Sequence, residues 1–154
     1  MPFSSTYLFQ GLSESRLQRL NEVAKEFKAL KGQWLFQEND SADRMYVLKS
    51  GAVEMLTRVN DDFELPVSII RSPGRCFGTS SLVPPHKYSL SARCAEDAVL
   101  FEIQRNNLEQ LTQRDSTLGY IIMANLAQHL LDRLKETRQE LKIHFKTLFR
   151  LMHS

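Results

Sequence analysis

The chain has 154 residues, of which 42% are apolar and 25% charged, values typical of one globular domain. Twenty basic and eighteen acidic residues give a net charge of +2, too small to indicate nucleic-acid binding through bulk charge. Because the sequence has neither an apolar run that could span a membrane nor the pattern of a signal peptide, we expect a soluble, single-domain, cytoplasmic protein without membrane association.

The first predicted element is a short helix near the N-terminus. Ser13 suits the N-cap position, and Leu17, Leu20, Ala24 and Phe27 follow it at helical spacing. This spacing predicts a helix that reaches about Phe27.

The middle of the chain, from about Phe27 to Ile103, changes character. Short apolar segments alternate with turn signals such as Ser50-Gly51 and Ser72-Pro73-Gly74. Strands repeated at this spacing are typical of a sandwich, barrel or jelly roll, and not of alternating strand–helix units. The predicted strand segments are Trp34–Phe36, Met45–Leu48, Ala52–Val59, Pro66–Ile70, Leu90–Cys94 and Val99–Ile103.

The last third of the chain is predicted to be helical. Asn106 is a candidate cap for a short helix, and Asp115 or Ser116 for a much longer one. The range Thr117–Leu151 contains no proline, and at ~1.5 Å per residue it would extend about 50 Å. A helix longer than a small domain is wide must project from it or pair with another helix.

The long helix carries an apolar seam at alternating steps of three and four residues, as in a coiled coil. Thr137 and His144 are polar breaks in it. We expect a homodimer through this helix, although packing on its own β domain explains part of the first two turns. A second apolar set, Ile122, Leu126 and Leu131, is a candidate for that packing. The predicted dimer residues are Met123, Ala127, Leu130, Leu134 and Leu141.

Five segments in order carry a family resemblance, namely Phe9–Ser13, Lys31–Asp40, Met45–Val53, Gly74–Gly78 and Ser89–Arg93. In these segments the chain resembles the cyclic-nucleotide-binding domain of the catabolite-activator and fumarate–nitrate-reductase (Crp/Fnr) regulator superfamily. The resemblance implies a mainly β fold with helices, in which a double-stranded β-helix, or jelly-roll-like β-roll, is flanked by a short N-terminal and a long C-terminal helix. Within residues 1–154 it assigns about 8–103 to the first helix and the β-roll, and 105–151 to the C-terminal helices.

The resemblance also implies a phosphate-binding cassette that begins at Gly74. In the family, a glutamate after the cassette glycine binds the ribose, and an arginine before a serine or threonine pairs with the cyclic phosphate. Here Thr79 follows Gly78, and Tyr88 precedes Ser89. Both charged determinants are missing, so cyclic AMP and cyclic GMP remain candidate ligands with weakened or lost binding. Lys87 and His86 are the candidate replacements for the missing cation.

The candidate pocket residues include two arginines with ordinary alternative roles. Arg93 is a candidate ligand contact or one half of a structural ion pair. Arg133 is a candidate base contact or a solvent-facing helical side chain. The full predicted set is Phe77, Gly78, Thr79, Ser80, Lys87, Tyr88, Ser89, Leu90, Arg93 and Arg133.

Cysteine and histidine placement bears on cofactors. Cys76 and Cys94 are too few for a disulfide framework, and we interpret them as buried structural thiols, with a redox switch as the alternative. The four histidines are scattered, so no protein metal site is expected. Haem on a single axial histidine stays open, and no other cofactor is expected.

Three function classes follow. The first is a regulatory sensor that forms a dimer, binds a small molecule and signals to an unidentified protein partner. In an alternative form of this hypothesis, the chain is the sensor fragment of a Crp/Fnr-type transcription regulator. Since the sequence ends at Ser154, we expect neither a helix-turn-helix domain nor direct nucleic-acid binding. The second is a structural dimerisation module whose pocket is filled by Phe77 and Tyr88. The third, an enzyme, is not expected, because only His86 lies in the β zone.

Overall fold

The computed structural model describes residues 3–153; Met1, Pro2 and Ser154, which include both predicted ends of the domain, lie outside this range. The three α-helices are α1 (Glu14–Val23), α2 (Arg105–Arg114) and α3 (Ser116–His153), and 3₁₀ helices span Tyr7–Phe9 and Thr79–Leu82. The strands are β1 (Lys25–Ala29), β2 (Trp34–Phe36), β3 (Arg44–Ser50), β4 (Val53–Asn60), β5 (Phe63–Ile70), β6 (Cys76–Phe77), β7 (Ser91–Cys94) and β8 (Ala98–Gln104).

The strands form two antiparallel sheets, in the orders β1-β8-β3-β6 and β2-β7-β4-β5. Because side chains alternate along a strand, β3 supplies both cores. Tyr46 and Leu48 pack between the sheets, whereas Met45 and Val47 pack in a second cluster with residues of the helices. The predicted β-roll with a short N-terminal and a long C-terminal helix is confirmed.

Helix α1 is shorter than predicted. The Ser13 side chain caps it by accepting a hydrogen bond from the Arg16 amide, as expected, but Ala24 is already extended. Phe27 lies in β1 opposite Leu100 of β8, so its predicted helical position is wrong. Pairing with β8 and contact with the inter-sheet core override a helical spacing that continues by coincidence.

The start of helix α2 also differs from the prediction. Asn106, the predicted cap, lies inside the helix. The N-cap is Gln104, whose side chain makes no capping hydrogen bond. The strand β8 runs to Gln104 and passes directly into α2, so strand pairing, and not a capping side chain, fixes the start of this helix.

The start of α3 is fixed by Asp115, one of its two predicted caps. The Leu118 amide donates to Asp115 Oδ1 at 3.2 Å. Arg16 Nε donates to Asp115 Oδ2 at 2.7 Å and Arg16 Nη2 to Oδ1 at 3.2 Å, while Arg19 lies 3.3 Å away. One carboxylate therefore caps α3 and ties the α2–α3 junction to α1.

These contacts make stability depend on the Asp115 charge. The hydrogen bond from Arg16 is the largest cause that lowers the pKa of Asp115 below its ordinary value. A carboxyl with a lowered folded-state pKa stabilises the fold above its unfolded pKa, and this stabilisation is lost as pH falls. We expect Asp115→Asn to be less stable than wild type at pH 7, with the difference narrowing below about pH 4, measured by urea unfolding. Asp132→Asn, at an exposed position, is the control. If the stability difference between Asp115→Asn and wild type did not change with pH, the charge of Asp115 would not be its cause.

Helix α3 has a buried base and a long exposed remainder. Leu118, Ile122 and Leu126 are buried, and the Asn125 side-chain amide donates to the carbonyls of Leu8 and Gln10, both at 2.9 Å. Ile122 and Leu126 thus face the domain as predicted. Leu131, assigned to the same set, is 50% exposed, because it lies on the side of the helix away from the domain, whereas its neighbour Leu130 borders the cassette. The five predicted dimer residues are all exposed.

Candidate ligand-binding site

A cleft of about 140 Å³ opens at the end of β6. It brings together seven of the ten predicted site residues. Its walls also include Phe36 and Met55, which were not among the predicted site residues. Phe36 belongs to β2, which pairs with β7 directly after the cassette. The lining residues are Phe36, Met55, Phe77, Gly78, Thr79, Ser80, Tyr88, Ser89 and Leu90.

An adjoining cleft of about 280 Å³ extends from the cassette to α3. The two clefts share Thr79, Ser80 and Ser89, and Leu126 and Leu130 of α3 close the far side. Lys87 is the one charged residue among those that line either cleft. The remaining lining residues of the second cleft are Val83, Pro84 and Pro85.

Gly78 shapes the floor of the first cleft. Its φ of 75° lies in the left-handed region and lets the chain turn from β6 into the 3₁₀ helix Thr79–Leu82. A Cβ atom here would lie 3.3 Å from the Arg44 carbonyl oxygen and 3.4 Å from both the Phe36 and Tyr88 rings. Glycine is favoured here by its positive φ and by the closeness of the Arg44 carbonyl, whereas the two rings lie at ordinary contact distance.

Tyr88 forms part of the buried wall of the first cleft. It is 3% exposed, and its ring stacks on Phe36 with a centroid distance of 3.7 Å and an interplanar angle of 11°. Its hydroxyl donates to the Arg44 carbonyl at 2.7 Å. Burial raises the pKa of Tyr88 to about 12, so the side chain is neutral. The site is thus walled by aromatic and neutral polar groups.

Residues 26–115, more than half of the chain, match the family model described as the cyclic nucleotide-binding domain. The chain belongs to the cyclic nucleotide-binding domain family. The predicted resemblance to the Crp/Fnr superfamily is confirmed by this match and by likeness to solved structures of such proteins.

Relatives of this cyclic nucleotide-binding domain occur in regulators and channels. The anaerobic regulatory protein of Bacillus subtilis is 24% identical over 93% of this chain and 62% of its own length. The potassium channel AKT6 of Arabidopsis thaliana is 32% identical over 82% of this chain and 14% of the channel. The structure of the Thermus thermophilus catabolite activator protein is 26% identical, with a TM-score of 0.77 over 90% of this chain and 62% of that one. The chain therefore spans less than two thirds of each.

The two predicted arginines lie away from the cleft. Arg93 Nη2 donates to Glu54 Oε2 at 3.0 Å, and the guanidinium lies 4.9 Å from the centre of the Trp34 ring. Arg133 is exposed on α3, 3.6 Å from Glu136. In this conformation both follow their ordinary alternative roles, and neither borders the two clefts.

The cassette provides hydroxyl groups and one half-buried histidine. Ser80 Oγ donates to Ser89 Oγ at 3.3 Å, across the boundary of the two clefts. His86 Nδ1 lies 2.9 Å from the Ser81 carbonyl oxygen, so this ring is held by the cassette backbone. These groups suit hydrogen bonding to a polar ligand, whereas charge is supplied by Lys87 alone.

The two cysteines border the cassette but are buried. Burial raises the pKa of the Cys76 thiol to about 11 and also raises that of Cys94. A thiol of this kind is protonated at neutral pH, which agrees with a structural role. Within residues 3–153, no group of three or more histidine, cysteine or acidic residues could hold a metal ion, and no helix is long and apolar enough to cross a membrane.

Proposed function

We propose that the chain is a ligand-sensing regulatory domain whose pocket has weakened or lost its affinity for cyclic AMP and cyclic GMP. The observation that carries the proposal is the placement of Tyr88, packed against Phe36 at the position that the family gives to the phosphate-binding arginine. Thr79 takes the position of the ribose-binding glutamate. A neutral, buried tyrosine cannot pair with a phosphate charge.

The expected loss of nucleotide affinity is large. Removing one partner of a buried, hydrogen-bonded charge pair costs about 2–5 kcal/mol. This corresponds to an increase of about 30-fold to several-thousandfold in the dissociation constant. The absence of the glutamate adds to this loss. Lys87 can offset part of it only as a point charge, since it lacks the planar fork of a guanidinium.

The ligand that this site favours is small and mainly neutral or aromatic, with at most one anionic group. In the first cleft Phe36, Phe77 and Leu90 supply an apolar wall, and Ser80 and Ser89 supply hydroxyls. Lys87, which lines the adjoining cleft, supports a ligand with a single negative charge that reaches that far. The cleft of about 140 Å³ is smaller than the ~300–1,000 Å³ of pockets for drug-sized ligands. A small ligand fits this volume.

Signalling is proposed to run through α3 and a homodimer. Leu130 both lines the second cleft and belongs to the exposed apolar seam. A ligand that contacts Leu126 and Leu130 would favour one position of α3 over another, which is the differential affinity that a switch needs. The protein partner that reads the switch and a cytoplasmic location are part of this proposal.

The proposal is tested by thermal unfolding with cyclic AMP and cyclic GMP up to millimolar concentration. A ligand at 100 times its dissociation constant adds about 2.7 kcal/mol, which raises the unfolding midpoint by several degrees. We expect no such saturable shift with either nucleotide. A saturable shift would contradict the loss of binding. In that case Lys87→Ala, which changes an exposed side chain, would show whether the lysine has replaced the arginine.

Two alternatives have specific support. The Bacillus and Thermus relatives extend well beyond the matched region, which favours a sensor fragment of a longer transcription regulator. The stacking of Tyr88 on Phe36 favours a structural dimerisation module with a vestigial pocket. A screen of small aromatic acids by thermal unfolding separates the vestigial module from the sensor, because only a sensor would respond.

A further inference from the structure

The composition of helix α3 changes at Leu141. The ten residues 131–140 contain three acidic and three basic side chains and therefore carry no net charge. Residues 141–153 contain no acidic side chain, three lysine or arginine side chains and seven large apolar ones. All seven apolar side chains are at least 54% exposed. Residues 141–153, called the far segment below, thus combine positive charge with a large exposed apolar surface.

The far segment has one apolar and one basic face. At 3.6 residues per turn, six of its seven apolar side chains lie within about 80° of Leu141 to either side. Lys142, Lys146 and Arg150 lie about 100°, 140° and 180° from Leu141 on the same scale. Ile143 is the exception on the basic side, and His144 is the polar exception on the apolar side. The apolar face consists of Leu141, Phe145, Leu148, Phe149, Leu151 and Met152.

The apolar face is wider than a coiled-coil seam requires. A seam is a narrow stripe, whereas a helix that lies on an extended apolar surface carries a stripe at least about 100° wide. The face includes the continuation of the predicted dimer seam at Leu141 and Leu148, and it extends past that line to Phe149. His144 interrupts the seam at this level. A second helix on the seam would therefore cover only part of the face.

The basic face is open to an anionic surface. Lys142, Lys146 and Arg150 are exposed and form no ion pair with any residue of the described range 3–153. The last buried residue of α3 is Leu126, and Leu141 lies fifteen residues beyond it, which is about 22 Å along the helix. The domain therefore does not obstruct either face of the far segment.

We propose that the far segment of α3 binds the surface of a bilayer that contains anionic phospholipid. The helix would lie in the plane of the interface, with its apolar face toward the acyl chains and its basic face toward the headgroup phosphates. A bilayer of this kind offers both an extended apolar layer and negative charge. A second copy of the far segment offers no negative charge, since this segment has no acidic side chain.

This inference goes beyond the proposed sensing function and does not depend on it. It revises the expectation of no membrane association, which was based on the absence of a spanning run and of a signal peptide. A helix that lies on a bilayer surface needs neither. The far end of α3 would be held at the bilayer while its base stays packed on the ligand-binding domain.

The charge of the lipid is expected to control the affinity. One lysine or arginine near an anionic bilayer increases the affinity about fivefold, so the three in the far segment give about 100-fold. The test is flotation of the purified protein with vesicles of phosphatidylcholine alone or of an equal mixture with phosphatidylglycerol. We expect binding to the mixed vesicles to be about 100-fold tighter at low salt and to weaken in 1 M salt, where the Debye length is about 3 Å.

Two variants test the two faces separately. Lys142→Gln combined with Lys146→Gln should lower the affinity for mixed vesicles about 25-fold. Lys25→Gln combined with Lys28→Gln removes the same charge from exposed positions of β1 and is the matched control. Phe149→Ser should lower the affinity at least about tenfold through lost apolar burial, and should leave any dimer dissociation constant within about threefold of wild type.

Each outcome decides the inference. It is overturned if the wild-type protein floats with neither kind of vesicle, or if it binds neutral and mixed vesicles equally. Equal losses for the double variant of α3 and the β1 control would show that net charge, and not the far segment, attracts the lipid. If Phe149→Ser weakens the dimer as much as Leu134→Asp and leaves vesicle binding unchanged, a second copy covers the apolar face and the bilayer does not.

Discussion

Replacing Tyr88 with alanine is expected to lower the free energy of unfolding by about 3–5 kcal/mol. Tyr88 is buried, stacks on Phe36 at 3.7 Å and touches the backbone turn at Gly78. Alanine would remove the ring and leave a cavity that the two sheets cannot close without moving β2. The measurement is urea unfolding at constant pH, with the midpoint and slope fitted separately.

The matched control for this change is Tyr88→Phe. It keeps the stacked ring and removes only the hydrogen bond to the Arg44 carbonyl, so we expect a loss of about 1 kcal/mol. The difference between the two variants isolates the contribution of the ring. If alanine and phenylalanine were equally destabilising, the ring would not fill the core, and the case for a tyrosine-filled pocket would fail.

Replacing Leu134 with aspartate is expected to raise the dimer dissociation constant by about 100- to 10,000-fold. Leu134 is 51% exposed in the single chain, so the fold itself should tolerate the change. In a dimer, each copy would lose about 1.5–3 kcal/mol of apolar burial, and two carboxylates would face each other. Sedimentation equilibrium measures the dissociation constant.

The control for the seam is Gln139→Asp, which introduces the same carboxylate on the opposite side of α3. It should leave the dissociation constant within about threefold of wild type, because a solvent-facing charge has little effect. Thermal unfolding of both variants at low concentration checks that the monomer is intact. An unchanged dissociation constant for Leu134→Asp would place the dimer interface elsewhere.

Most of the strands and the long helix could be predicted because the sequence patterns that indicate them lie within each element. Each of the six predicted strand segments contains or overlaps a strand, since apolar runs between turn residues report burial directly. Strands β1 and β6 were not predicted. β1 is charged at three of its five positions and stays in the sheet through pairing with β8, and β6 has only two residues. Such pairings join distant parts of the chain and leave no periodic pattern.

The site could be predicted in part. The cassette motif pointed to Gly78, Thr79 and Ser89, and all three line the cleft, because the turn geometry depends on the sequence order around a glycine. The positions of Phe36 and Arg93 depend on the side of a strand that each residue occupies. Arg93 pairs with Glu54 because both lie on the same face of adjacent strands, and that register is set by the whole sheet.

The geometry of α3 makes it a lever with a short fixed end and a long free arm. Its last buried residue is Leu126, and the arm beyond extends about 40 Å at ~1.5 Å per residue. With this arm length, a tilt of about 10° at the base moves the tip by about 7 Å. A shift of a fraction of an ångström where Leu126 and Leu130 border the cleft would thus be amplified at His153. The domain needs only a small internal rearrangement to produce a displacement that another molecule can detect.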